Sequence, residues 1–177
     1  NAQGQLDDIA QTTPGLPAGE YKKPAYDNAE SYTEREVVVG EGALALPGTL
    51  TLPVGDGPFP VVVLVHGSGP SDRDASVDGA KTFRDLAVGL AAHNVAVLRY
   101  EKVTKEHPFK IAADPKLTLK RETVDDALSA VELLRGMDEI DPDRIYIAGH
   151  SQGGFAVPLM LGADADGHIA GAVIMSG

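Results

Sequence analysis

Arg144-Ile145-Tyr146-Ile147-Ala148-Gly149-His150-Ser151-Gln152-Gly153-Gly154-Phe155 is the stretch on which the fold turns. Arg144 to Ala148 is short, apolar and rich in β-branched residues, the composition of a strand covered on both faces. Gly149 to Gly154 is too rich in glycine for either a strand or a helix and predicts a tight turn. Phe155 to Leu161 then continues as a helix, with Pro158 inside it removing one backbone hydrogen bond and kinking it. A buried strand running through a glycine turn into a helix is half of a parallel crossover unit. The turn also contains Gly149-His150-Ser151-Gln152-Gly153. A bare G-x-S-x-G arises by chance in roughly one chain of this size in ten or twenty, given ordinary glycine and serine usage. Its place between a strand and a helix is what makes Ser151 a candidate nucleophile. Gly149, Gly153 and Gly154 suit a turn so sharp that neighbouring backbone must pass without Cβ atoms. His150 occupies its variable position.

Working outward, the same unit recurs. Pro60 to Val65 is a continuously apolar strand, followed by the break His66-Gly67-Ser68-Gly69-Pro70. Phe83, Leu86, Ala87, Leu90 and Ala91 recur at helical spacing and predict a helix over residues 81–93. Val95 to Leu98 is the next strand. Lys102 to Lys120 is a charged excursion interrupted by Pro108 and Pro115, expected to be mobile and near the site. Val124, Leu128, Val131 and Leu134 mark a helix over 119–135, Asp141-Pro142 stops the chain, and Ile169 to Met175 is a last buried strand. Upstream, Glu36 to Val39 and Ala43 to Leu52 form an antiparallel hairpin around Gly40-Glu41-Gly42, with a bend or bulge at Pro47-Gly48. The order is therefore a hairpin followed by β-α-β-α-β-α-β. That order requires an α/β fold with a mostly parallel sheet and helices on both faces. Residues 1–30 are poor in apolar side chains, with one helical hint at Leu6 to Ala10, and are expected to be an arm or linker remnant. The domain proper is expected over 31–177.

The loop after the first parallel strand lies at the same end of the sheet as Ser151. Acyl transfer builds negative charge on a carbonyl oxygen and calls for two backbone N–H groups aimed at it. The Gln152 N–H, opening the helix after Ser151, is one candidate donor. The loop supplies the other, at Ser68 or at Gly69. His66 suits loop packing better than base catalysis, because its ring would crowd that hole. Phosphate binding by either glycine turn is disfavoured, since neither G-x-x-x-x-G-K-[ST] nor G-x-G-x-x-G occurs.

With both segments in hand, residues 61–177 resemble the α/β-hydrolase fold family. The resemblance is carried in order by His66-Gly67-Ser68-Gly69-Pro70, Asp72-Arg73-Asp74, Phe83-Arg84-Asp85-Leu86-Ala87, Val97-Leu98-Arg99-Tyr100, Glu122 to Ala127 and Gly149 to Gly154. More narrowly it is similar to the bacterial esterase branch related to dienelactone hydrolases and acyl-peptidases. The resemblance implies a serine hydrolase in which Ser151 is acylated and Ser68 and Gln152 hold the oxyanion. It also implies that Asp72-Arg73-Asp74 belongs to a loop beside the pocket. In this fold the triad acid and histidine follow the nucleophile. His168 is the only histidine beyond Ser151, placed before the last strand on the wrong side of the sheet, and Asp164 and Asp166 suit a solvated helix end. The sequence is thus expected to be the amino-terminal part of the domain and inactive alone. Carboxylic ester cleavage is the first reading. An acyl-peptidase or acyltransferase of the same fold, and a non-catalytic binding module, are the alternatives.

Composition narrows the field further. The chain has 177 residues, no Cys, and 15 Lys+Arg against 26 Asp+Glu for a net charge of −11. The charge disfavours nucleic acid and anionic membranes as partners, and the missing thiols exclude disulfides and thiolate metal sites. Its five histidines do not cluster, so neither a metal nor a cofactor is expected. The expected partners are a small-molecule ester or acyl substrate and, at the edge of the strand 169–175, either the rest of the polypeptide or a second copy. Nothing in the sequence decides between a cytoplasmic and a secreted bacterial location.

Overall fold

A computed structural model of the chain describes residues 19–176. The helical hint at Leu6 to Ala10 lies outside the described residues. The elements are β1 (Tyr32–Val39), β2 (Leu46–Pro53), β3 (Phe59–Val65), β4 (Ser76–Val77), β5 (Ala80–Lys81), α1 (Thr82–Ala91), β6 (Ala96–Tyr100), α2 (Val103–Glu106), α3 (Pro108–Ala112), α4 (Asp125–Arg135), β7 (Ile140–His150), α5 (Gln152–Ala163) and β8 (Ile169–Met175). Six strands form one sheet in the order β1-β2-β6-β3-β7-β8, and β4 pairs with β5 in a separate small hairpin. β1 with β2 and β2 with β6 are antiparallel, while β6, β3, β7 and β8 run parallel.

Strand alternation sorts the apolar residues to two faces. Val61, Val63 and Val65 of β3 join Leu98 and Ile147 in a large core with Ala127, Val131 and Leu134 of α4 and Ala156, Val157 and Met160 of α5. Leu64, Val97 and Ala148 point the other way, onto Phe83 and Ala87 of α1. Helices on both faces, as expected, leave the loops at the carboxyl ends of β3 and β7 side by side. From β3 the chain first moves out to β6 and then returns across it to β7. Such a reversal opens a crevice at the strand ends.

Several local expectations are corrected. The hairpin carries no bulge at Pro47-Gly48, since β1 and β2 pair in unbroken register from Tyr32↔Pro53 to Val39↔Leu46. Gly48 has another reason to be there: it lies opposite Tyr100 of β6, and a Cβ would stand 2.8 Å from the Arg99 carbonyl oxygen. The second strand starts at Leu46, because Gly42–Leu44 forms a short 3-10 turn. Asp141-Pro142 does not end an element but sits within β7. Phe59 pairs with Ile140 and Val61 with Ile145, so the residues between bulge outward and are largely exposed. The excursion after β6 holds α2 and α3, and the helix expected from 119 opens with a widened π-type stretch over Lys120–Val124. β8 is not buried as expected: it pairs with β7 alone among the described residues, and Val173 and Ile174 are exposed.

Residues 19–30, the described part of the expected arm, are tied to α1 by polar bonds. Arg84 reaches Asp27 at 2.9 Å and Tyr21 at 2.7 Å, and the Asp27 carboxylate is buried. No helix among the described residues is long and apolar enough to cross a membrane.

Because the obstacle at Gly48 is backbone, which cannot rotate aside, Gly48→Ala is expected to cost about 1–3 kcal/mol. The resulting drop in thermal midpoint is measurable by scanning calorimetry; an unchanged midpoint would contradict the close packing of β2 on β6.

Candidate active site

Ser151 stands between β7 and α5 at φ 52° and ψ −118°. Such a conformation costs an L-residue about 1–3 kcal/mol and persists only where its surroundings hold it. Glycines make those surroundings possible. A Cβ on Gly149 would collide with the Gly153 carbonyl, and one on Gly153 would stand 2.5 Å from the Val65 oxygen and 2.7 Å from the His66 oxygen. The turn is therefore seated directly on the end of β3. The loop that follows β3 is equally close, since a Cβ on Gly67 would lie 3.1 Å from Ser151 Cβ. The Ser151 N–H donates to the Met175 carbonyl at 2.9 Å, fixing the turn to the end of β8 as well. Gln152 is the first residue of α5, and the first N–H groups of a helix have no intrahelical acceptor.

A cavity of about 390 Å³ opens over this junction, walled by residues 66–72 with Ser76, Val77, Phe83, Lys105, His150 and Ser151 among others. Ser68, Gly69, His66, Gly67, Asp72, His150 and Ser151 thus line one cavity. Arg73 and Asp74 do not line it. Arg73 pairs with Glu101 at 2.9 Å and Glu36 at 2.7 Å, while Asp74 holds Lys81 at 3.0 Å and the buried Arg99. Asp72 faces the cavity and accepts the N–H groups of Asp74 and Ser76 at 3.1 and 2.9 Å, shaping its own loop. The tripeptide therefore divides into one cavity residue and two anchors to the sheet.

His66 is buried, with Nε2 2.7 Å from the Tyr100 carbonyl and its ring stacked on Phe83 at 4.8 Å between centroids. A carbonyl accepts only, so Nε2 carries the proton and Nδ1 is the basic nitrogen. Burial, against a raising contribution from the Tyr100 carbonyl, pushes the imidazole down from 6.5 to about 4. His150 is exposed, with its ring edge-on to Phe83 at 6.5 Å. His168 lies at the start of β8, where Asp164 accepts the backbone N–H groups of His168 and Ile169 at 3.0 and 2.8 Å. Asp164 is thus a buried cap of that loop instead of a solvated helix end. His93 and His107 bind the carbonyls of Gly89 and Ala45. Among the described residues, no three His, Asp or Glu side chains gather as a metal site would require.

The sequence did not reveal Lys102, Lys105 or Glu122. Lys105 lines the cavity and Thr104 donates to the Gly69 carbonyl at 3.2 Å. Lys102 is buried and touches both glycine turns at once. The excursion is expected near the site from its position, directly after a strand whose carboxyl end faces it, and Lys105 and Thr104 do lie there; charge alone does not single out which of its side chains turn inward.

The Prolyl oligopeptidase family model matches residues 107–175. Esterase EstD of Thermotoga maritima is 44% identical over 140 residues, covering 78% of this chain and 32% of EstD. Among solved structures, a bacterial heroin esterase superposes with a TM-score of 0.59 at 22% identity, over 84% of this chain and 44% of that one. An alpha/beta hydrolase, GrgF from Penicillium, superposes with a TM-score of 0.58 at 19% identity, over 80% of this chain and 44% of that one. The chain has the α/β-hydrolase fold. It spans about a third of the length of EstD. In this fold Ser151 stands at the end of the fifth strand of the large sheet in chain order, next to the loop that follows the third.

His66 yields a pH prediction. Its folded pKa lies below the unfolded value, so the unfolded state binds the extra proton, and the stability it lends is full above 6.5 and lost as pH falls toward 4. Asp126 acts in the opposite sense: burial and then Asp125 push its carboxyl up to about 7, so its stabilising effect fades as pH rises from 3.8 through 7. Nitrogen NMR of the imidazole ring separates the two, and His66 is expected to remain neutral at pH 5.5. A protonated His66 at that pH would contradict its burial.

Proposed function

We propose that the protein containing this chain is a serine hydrolase that cleaves carboxylic esters through an acyl-enzyme formed on Ser151. The observation that carries this reading is the strained, positive-φ serine on a strand-to-helix turn, pressed against a glycine loop at the mouth of a cavity. That arrangement is the one a nucleophile elbow requires, since it lifts the hydroxyl clear of the sheet and toward substrate. The Gln152 N–H and the Ser68 N–H, with Gly69 as the alternative, are the proposed donors to the tetrahedral oxyanion. Likeness to EstD supports ester chemistry.

A serine hydroxyl needs a base. His66 is a poor one near neutrality, because burial lowers its pKa to about 4 and so disfavours the imidazolium that a base must become on taking the serine proton. His168 sits at the other end of β8, a 7-residue strand that measures roughly 20 Å at the usual rise per residue. We therefore assign the base and its acid to chain outside residues 1–177, and with them the walls that select substrate. The match of residues 107–175 to the Prolyl oligopeptidase family favours peptide-bond cleavage as the second reading.

In the full-length protein, Ser151→Ala is expected to abolish fluorophosphonate labelling and to lower ester turnover by at least about 10³-fold. Labelling that survives the substitution would overturn the assignment of the nucleophile. A series of p-nitrophenyl esters set against peptide anilides separates the two readings, and peptide turnover without ester turnover would refute the first.

A further inference from the structure

Lys102 is a lysine with almost no contact with water: its side chain is 3% exposed. Its ammonium donates to the Gly67 carbonyl at 2.6 Å and to Gln152 Oε1 at 2.8 Å, and it pairs with Glu122 Oε1 at 2.7 Å. An ammonium has three protons and no acceptor, so these three partners use it fully. They come from three separate parts of the chain: the loop after β3, the start of α5, and the widened turn before α4. Holding these parts together would not of itself call for a charge. Buried ion pairs can often be replaced by apolar packing of similar volume without loss of stability, so the ammonium invites a reason beyond cohesion.

The partner identities supply one. The Gly67 carbonyl and the Ser68 N–H belong to one peptide unit, and the sole cis bond among the described residues is Gly57-Pro58. In a planar trans peptide the C=O and N–H point to opposite sides. An ammonium gripping the oxygen therefore fixes the direction in which the Ser68 N–H points. A cation on the oxygen also draws electron density from the amide and strengthens its N–H as a donor. The same ammonium anchors the Gln152 side chain, whose backbone N–H is the other proposed donor.

We propose that Lys102 is a positioning residue for acyl transfer, orienting the Ser68 and Gln152 N–H groups from behind and polarising the first, with Glu122 as its counter-charge. This rests on the assignment of Ser151 as nucleophile and of those two N–H groups as oxyanion donors. Lys102 does not touch substrate, so its effect belongs to the transition state, where the oxyanion exists, and not to ground-state binding.

The test uses the full-length protein with p-nitrophenyl acetate and a trifluoromethyl ketone, which forms a tetrahedral adduct with an active serine. Lys102→Met is expected to lower kcat about 10²-fold, near the cost of losing one oxyanion donor, with KM within about threefold of wild type. Affinity for the ketone should fall in proportion to kcat. Lys102→Gln keeps an N–H for the Gly67 carbonyl without the charge, and it should fall between the two; it also serves if the methionine variant does not fold. An unchanged kcat in a folded variant would overturn the proposal while leaving Ser151 in place. So would a kcat loss with undiminished ketone affinity, because that would mark a merely structural role. Absence of Ser151-dependent turnover in the wild type would overturn the underlying reading, and this proposal with it.

Discussion

Everything at the candidate site depends on how closely two backbone turns approach at the carboxyl ends of β3 and β7. The turn carrying Ser151 rests on the Val65 and His66 carbonyls through Gly153, and it folds back on itself through Gly149. A single methyl group at either glycine would have to displace main chain. That contact allows a residue with φ of 52° to persist, and it brings the loop of Gly67 to Gly69 against the same serine. Crossovers on both sides of the sheet hold the contact rigid. α1 covers Leu64 and Ala148 on one face, and α5 covers the other with Ala156 and Met160. Core packing and active-site geometry are therefore one constraint at this junction.

Charge performs a second task, away from the serine. The chain is acidic, yet Arg73, Arg99 and Lys102 near the site are committed to partners within the fold. Arg73 and Arg99 bind the loop after β3 to the hairpin strands through Glu36, Glu34 and Asp74. Lys102 binds the same loop to α5 from the opposite side. Each pairing joins segments distant in sequence; Arg99 and Lys102 are shielded from water, where ionic interactions are least screened, while the Arg73–Glu36 pair is open to solvent at Glu36. The loop that supplies the proposed oxyanion donor is thus held at both ends by buried cations, in keeping with a site that must not reorganise when charge develops.

The succession of strands and helices along the chain, and the strand-turn-helix setting of Ser151, were legible because they depend on apolar periodicity and on glycine spacing, both local properties; the order of the strands within the sheet was not. Pro60 to Val65 and Val95 to Leu98 could scarcely be anything but buried strands. The strand at Ile169 to Met175 was equally legible as a strand, but its burial depends on neighbours that local pattern does not contain. Gly48 looked like a bulge because a glycine in a strand has two explanations, and only the proximity of Arg99 distinguishes them. The resemblance placed Arg73 and Asp74 in a loop beside the pocket, but their anchoring role was hidden because partners such as Arg99, Glu101 and Glu36 lie tens of residues away. Lys102 was hidden for the same reason: in a run of charged residues, nothing local separates the one lysine folded inward from those facing water.

The central claim is that the strained turn presents Ser151, and no other residue, to an acyl group. Rapid acid quenching of the full-length protein during turnover of a p-nitrophenyl ester, followed by peptide mass mapping, tests it most directly. The account predicts the mass of one acyl group on the peptide containing Ser151, localised to that serine by fragmentation. An acyl group found reproducibly on a different residue, or turnover with no acylated peptide under conditions where deacylation is rate-limiting, would contradict it.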